Sequence, residues 1–214
     1  MSTETRDIID HLSGIAPGSH LDGIRARRLQ ARENAQKSHL ALFEPVDFGN
    51  VAAAERFAVA AFVAGLHREP SAESYYFARL GDTPGGAKLV DPVKAEVDRG
   101  RTEGPYGAFP AGPLSVDDQA GLVYRVDGGT RDALGRKLAA ALEQAHLLAF
   151  HPRDANSAAL QALLDAGWTN TGIVTLSQLV AFLSFQIRTV AGLKVLAATL
   201  GQQARPASQG ASAR

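Results

Sequence analysis

Glu55 and His67 are the first residues that could carry chemistry, because they bracket the apolar segment Glu55-Arg-Phe-Ala-Val-Ala-Ala-Phe-Val-Ala-Gly-Leu-His67. Burial among Ala, Phe and Val would suit a carboxylate to general acid or base work, and a histidine at the far end to proton shuttling. The same residues have plainer uses. A first-turn glutamate is favoured by the helix dipole and can pair with Arg56 or a neighbouring helix, and a last-turn histidine complements the opposite pole. Glu69, Glu73 and Tyr75 follow within two turns, close enough to wall a pocket with Glu55, and Glu73 and Tyr75 are the substrate-binding candidates.

His146 and His151 flank Leu-Leu-Ala-Phe, and being five apart they do not share one helix face; His146 is the substrate-binding candidate. Gln178, Gln186 and Arg188 interrupt an apolar run. Buried amides need partners, so the two glutamines either bridge helices or meet a ligand. Arg188 is a candidate for bidentate recognition of a substrate carboxylate, or for a salt bridge between subunits. A metal at Glu73 and His67 would need a third ligand such as His146 or His151, and no His-x-x-x-His pair backs one, so neither metal nor cofactor is expected. Gly85-Gly86 and Gly128-Gly129 lack the strand-to-helix context of a phosphate cradle, and no Gly-x-Ser-x-Gly elbow surrounds Ser177 or Ser184.

These groups sit on segments of helical periodicity divided by Gly and Pro. The pattern predicts helices over Thr5–Leu12, His20–Glu44 with Ser19 as cap, Val51–His67 with Asn50 as cap, and one opening at Pro70. In the second, Leu21, Ile24, Leu29, Leu40 and Phe43 form the buried side, while the basic run Arg25, Arg27, Arg28 and Arg32 reads as a solvated face. A shorter helix over Gly86–Val97 should kink at Pro92. Residues 100–126, rich in Gly and Pro, read as a long loop between two halves at about 1–99 and 127–201, with a brief extended stretch at Leu122–Val126. Helices from Thr130 to Phe150, Ser157 to Ala166 and Thr171 to Gly201 follow, and 202–214 is a polar tail. The class is all-α, a single helical domain over 1–201.

Lys plus Arg and Asp plus Glu balance at 22 each, so no field draws in nucleic acid. The chain contains no cysteine, which removes disulfides, thiolate metal sites and every thiol nucleophile. The first ten residues carry no apolar leader, and polar residues break the Ile173–Leu200 run, so a cytoplasmic protein with no membrane span is expected.

Two stretches resemble the carboxymuconolactone decarboxylase and alkylhydroperoxidase (AhpD-like) superfamily. One is His146-Leu-Leu-Ala-Phe-His-Pro-Arg-Asp, Leu160-Gln-Ala-Leu-Leu-Asp-Ala-Gly-Trp168 and Ile173 to Leu193, similar to the short helix, Ala-Gly-Trp turn and long helix of its peroxidase-related members. The other is Glu55 to His67, with Leu21 to Pro45 similar to the leading helix of a cysteine-free subgroup. The resemblance implies an AhpD-like multi-helix bundle, a homo-oligomer (dimer, trimer or hexamer) and a small-molecule ligand. In the redox-active branch a Glu precedes Cys-x-x-Cys and a His; at the family's spacing the two cysteines fall on His67 and Pro70 and the histidine on Ser74. Peroxide detoxification needs that dithiol. The decarboxylase branch uses acid-base chemistry, so the resemblance points to Glu55 and His67 acting on a small carboxylate or lactone, with Glu73, Tyr75, His146 and Arg188 around it. A non-catalytic helical oligomer that binds a ligand or partner is the alternative.

Overall fold

The computed structural model describes residues 6–203, which form ten α-helices and, among the described residues, no strand. Asp7 starts α1 (Ile8–Ser13) by accepting the Asp10 N–H, and Ser19 starts α2 (His20–Ala26) through the N–H of Asp22. α3 (Leu29–Phe43) follows after Arg27 and Arg28. Where periodicity predicts one helix from His20 to Glu44, two are therefore found, and the reason is ionic. Arg25 pairs with Asp7 at 3.1 Å and Asp10 at 2.8 Å, and Arg32 pairs with Asp10 and with Asp22 at 2.9 Å. Residues seven apart in an unbroken helix stand about 10 Å from each other along the axis, and the break lets both guanidiniums close on one aspartate. The basic run is thus no uniform solvated face: Arg25 is buried and Arg32 half-buried, while Arg27 and Arg28 are exposed.

α4 (Ala53–Leu66) starts after Ala52 rather than at Asn50, because Glu55 reaches back to the Ala52 N–H at 2.9 Å and supplies the cap its neighbours lack. Glu69 caps α5 (Pro70–Asp82) through the Ala72 N–H, with Pro70 at the first position. A 3-10 turn (Ala87–Leu89) leads into α6 (Val90–Gly100), where Pro92 falls in the first turn, a place that needs no N–H, so the expected kink does not arise. Asp127, not Thr130, caps α7 (Gly128–Leu134). Gly135, at φ +78°, then turns the chain into α8 (Arg136–Phe150), a conformation that side chains resist, so the single expected helix becomes two. Asn156 caps α9 (Ser157–Asp165). α10 (Asn170–Gln203) takes in the first two residues of the expected tail, the rest of which, like Thr5, lies outside the described residues.

Five helices, α3, α5, α6, α8 and α10, pack around α4. Every residue from Arg56 to Leu66 is buried. Its partners come close: a Cβ on Gly65 would lie 2.6 Å from a Val97 methyl, so this glycine lets α6 lie against α4. Phe43, Phe57 and Tyr76 stack at 5.2 Å spacings where α3, α4 and α5 meet. α10 has the length and hydropathy of a membrane span, and a third of that window is buried; Leu176, Leu179, Val180, Leu183, Ile187 and Val190 are the face it packs against the bundle. Between α6 and α7, residues 101–127 carry only the 3-10 turn Pro113–Asp117 and one isolated antiparallel bridge, Gly107 to Gln119; no strand forms at Leu122–Val126.

The Gly65 contact makes a prediction. Gly65→Val should lower the unfolding free energy by about 1–3 kcal/mol through overpacking, and adding Val97→Ala should recover part of the loss, a coupling read from urea titrations of the single and double variants.

Candidate functional site

The 101–127 segment lies across the end of α8 as a strap. Tyr106 N–H donates to the Phe150 carbonyl at 2.6 Å, and the backbone at Gly121 crosses the Tyr106 ring so closely that a Cβ would strike it. Beneath the strap a cleft of about 220 Å³ is lined by Val123, Tyr124, Arg125, Glu143, His146, Leu147, His151, Asp154 and Asn156. It continues between α8 and α9 as a hollow of about 360 Å³ that shares Arg125, Glu143, Leu147 and Asn156.

His146 is the buried base of this cleft. Its Nε2 meets the Gly100 carbonyl at 3.0 Å, and a carbonyl only accepts, so Nε2 carries the proton. Burial holds the ring down at about 4, against a smaller upward pull from the Gly100 carbonyl. The ring is therefore neutral at pH 7 and its second nitrogen, Nδ1, is an acceptor that has no hydrogen-bond partner among the described residues. Tyr124 stacks on it at 4.8 Å and 23°. The Tyr124 hydroxyl donates to Glu96 at 2.6 Å, and burial, reinforced by Glu96, pushes that phenol far above its ordinary value. Glu96, fully buried, also accepts the Asp127 N–H and lies 3.6 Å from Arg99.

His151 bridges two acceptors, Asp154 at 2.9 Å and the Leu122 carbonyl at 2.9 Å, and so ties the strap to the end of α8. The imidazole lowers the Asp154 carboxyl below the usual carboxylate range, helped by the Ala108 N–H. Arg125, two-thirds exposed, stands at the mouth 3.8 Å from Glu143, which also binds Arg131 and the Val126 N–H. The cleft thus offers one buried proton acceptor, one exposed cation and a fixed aromatic wall. That set can orient a small carboxylate and take a proton from it.

The sequence candidates are dispersed. Glu55 and His67 stand at opposite ends of α4, about 18 Å apart at 1.5 Å per residue, and neither lines the strap cleft or the hollow continuous with it. Glu55 is engaged by Lys137 at 2.8 Å and by the Ala52 N–H. His67 is held at about 4 by burial and by the charge of Arg188, and its Nε2 has no partner among the described residues. Glu73 accepts from Arg101 at 2.9 Å. Tyr75 packs edge-on against His11 and Tyr76, and burial raises its phenol. Arg188 is exposed on α10. Gln186 bridges helices by accepting from the Tyr76 hydroxyl, whereas Gln178 faces outward. Of the six candidates, only His146 lines the strap cleft.

Tyr124, Arg125, Glu143 and Asp154 in the cleft, and Glu96 behind Tyr124, are the residues that sequence reading misses. Asp154 has a local signal, three residues after His151 across a proline; Glu96 and Tyr124 are 28 positions apart and carry none. Among the described residues no three of His, Asp and Glu gather as metal ligands. Comparison of the chain with family models, curated proteins and solved structures finds no match.

His39, His67 and His146 together set a pH dependence. Burial, the largest cause for each, holds all three at about 4 in the folded chain, whereas an unfolded histidine titrates near 6.5. Unfolding therefore takes up protons between these values. Their contribution is complete above about pH 6.5 and is lost as pH falls towards 4, at up to about 1.4 kcal/mol per pH unit for each ring. Denaturant titrations from pH 7 to pH 5 should show this loss, and His146→Gln should remove about one proton's worth of slope. A stability that is flat over that interval refutes the assignment.

Proposed function

We propose that this chain is a cysteine-free protein of the carboxymuconolactone decarboxylase-like, AhpD-like type that binds a small carboxylate or lactone in the strap cleft and carries out acid-base chemistry there through His146. The observation that carries this reading is a buried, neutral imidazole with one nitrogen committed to the Gly100 carbonyl and the other unpartnered, lining a cleft with Arg125 at its mouth. In this reading one substrate carboxylate pairs with Arg125 while Nδ1 accepts the proton of the carboxyl group that leaves. The C–C bond to that group breaks, carbon dioxide departs, the electron pair stays on the adjacent carbon, and the imidazolium returns the proton to that carbon. Tyr124, kept protonated, holds the ring in plane. The strap excludes water from one side, which strengthens both interactions.

The all-α class and the quoted 146–193 unit support the family reading. Glu55 moves from the catalytic role to a tie between α4 and α8. Peroxide reduction has no thiolate to begin it. A homo-oligomer fits the exposed side of α10, where Val174, Phe185 and Val195 are each more than half exposed.

A second reading, a non-catalytic ligand-binding protein, is favoured by the full engagement of Glu55 with Lys137 and of Glu73 with Arg101. One experiment separates the two. A panel of small lactone acids and carboxylates is screened for binding by NMR and for conversion by carbon dioxide release. We expect conversion that His146→Gln cuts by about 10²- to 10⁴-fold and Glu55→Gln leaves intact. Binding without conversion selects the second reading, and conversion that survives His146→Gln refutes the role given to this residue.

A further inference from the structure

A hollow that shares no lining residue with the strap cleft lies where α1, α2 and α3 meet. This cleft of about 620 Å³, within the usual range for small-ligand sites, is lined by residues of three kinds. Ile15, Pro17 and Leu29 give it an apolar wall. Leu29, which periodicity puts on the buried side of its helix, is instead 58% exposed here, because the Arg27–Arg28 break turns it towards the hollow. The second kind is the ionic floor, and it is nearly closed on itself. Asp7 is taken by Arg25 and by the Asp10 N–H, Asp10 by Arg25 and Arg32, and Asp22 by Arg32 and the Gly18 N–H. Capacity to spare remains at Asp10 Oδ1, which lies 2.8 Å from Arg25 without a hydrogen bond among the described residues, and at Glu33 on the rim.

The third kind is unfilled donors. Gln36 accepts the Ile8 N–H through Oε1 at 2.8 Å, and because that backbone group only donates, the orientation of the amide is fixed. Its Nε2 is consequently the other end, buried and without a hydrogen-bond partner among the described residues. A buried amide donor left unmade costs stability that a native structure ordinarily recovers with a partner. Arg6 spends one N–H on the Ile15 carbonyl, its others having no partner among the described residues, and Lys37 is held only loosely by Glu33, at 3.7 Å. What the hollow lacks is therefore mostly acceptors, beside an apolar wall.

We propose that this amino-terminal cleft is a second ligand site and that it takes an amphipathic monocarboxylate, its carboxylate accepting from Gln36 Nε2, Arg6 and Lys37 and its apolar body lying on Ile15, Pro17 and Leu29. The site is independent of the strap cleft and of any chemistry there. Octanoate and its uncharged methyl ester serve as probes, titrated into the isotope-labelled full chain and followed by NMR. Octanoate should shift the Gln36 side-chain amide and the backbone of Ile8 and Leu29, and the ester should bind less well. Gln36→Leu should weaken octanoate by about tenfold. Leu29→Glu is the safer variant, since the residue is exposed and a first-turn glutamate suits the α3 dipole; it should weaken binding at least as much with the fold intact. His146→Gln should bind octanoate at this cleft as the parent chain does. The proposal is overturned by no shift in α1 to α3 up to about 10 mM octanoate, the range of millimolar affinity. It is equally overturned by an ester that binds as tightly as the acid, by unaltered binding in Leu29→Glu, or by loss of these shifts in His146→Gln.

Discussion

A helix with no solvent face constrains everything around it, and α4 is such a helix from Arg56 to Leu66. Amphipathic helices need one neighbour; this one needs them on all sides, so α3, α5, α6, α8 and α10 are all required to keep it out of water. Its single internal charge shows how the cost is met. Arg56 is 6% exposed, and it donates to the carbonyls of Val51, Leu42 and Phe48 at 3.0, 2.7 and 2.8 Å. Those three carbonyls belong to the end of α3 and to the connection into α4. One guanidinium thus closes off the backbone groups that a helix end and a tight connection would otherwise leave unmade. Desolvation weakens the hold of Arg56 on its proton, but the three carbonyls and Glu55 nearby favour the charged form.

The same requirement explains where polar residues enter the interior. Tyr76 and Gln186 satisfy each other between α5 and α10, and Glu96 gathers Tyr124, the Asp127 N–H and Arg99. Apart from Arg99, which lies on the same helix as Glu96, these pairings join elements far apart in the chain and act as ties between layers that apolar contact alone would leave free to slide. Satisfaction is incomplete at Gln186 Nε2 and at His39 Nδ1. His39 manages with an uncharged ring in an aromatic setting of Phe43, Tyr75 and Phe182, where protonation would cost far more than an unmade hydrogen bond.

How much of this was legible from residues alone follows from the range of the forces involved. The extent of α10 and the start of α5 were legible, because periodicity, Pro70 and Thr171 act within one or two turns. The break at Arg27–Arg28 was not, since it answers to Asp7 and Asp10 across a turn of chain, and a run of four arginines reads as surface until its partners are known. Gly135 gave a local sign that helical pattern on both sides concealed. Glu55 shows the opposite error: its apolar neighbours suggest a buried catalytic carboxylate, whereas its place at the third position of a helix without a capping side chain makes it the cap. His146 was legible as a candidate. The Gly100 carbonyl that fixes its tautomer was not, because a backbone group 46 positions away leaves no trace in residue type.

The strap brings these threads together. Five residues after the body of α8, Phe150 to Asp154, hold both of its limbs: the Phe150 carbonyl and Asp154 take the N–H groups of Tyr106 and Ala108, while His151 and Arg153 meet the carbonyls of Leu122 and Asp117. Arg153 also lies over the Phe109 ring at 4.2 Å. This segment has no regular structure, so its position depends on the burial of Tyr106, Tyr124 and Val126 and on these few directed contacts. They all issue from the end of α8, and α8 is fixed in turn by its packing on α4 and by the Glu55–Lys137 pair. The cleft around His146 therefore inherits its geometry from the buried helix, through one rigid element and one short clasp, and the residues that set it are spread from Glu96 to Asp154 rather than gathered in any single motif.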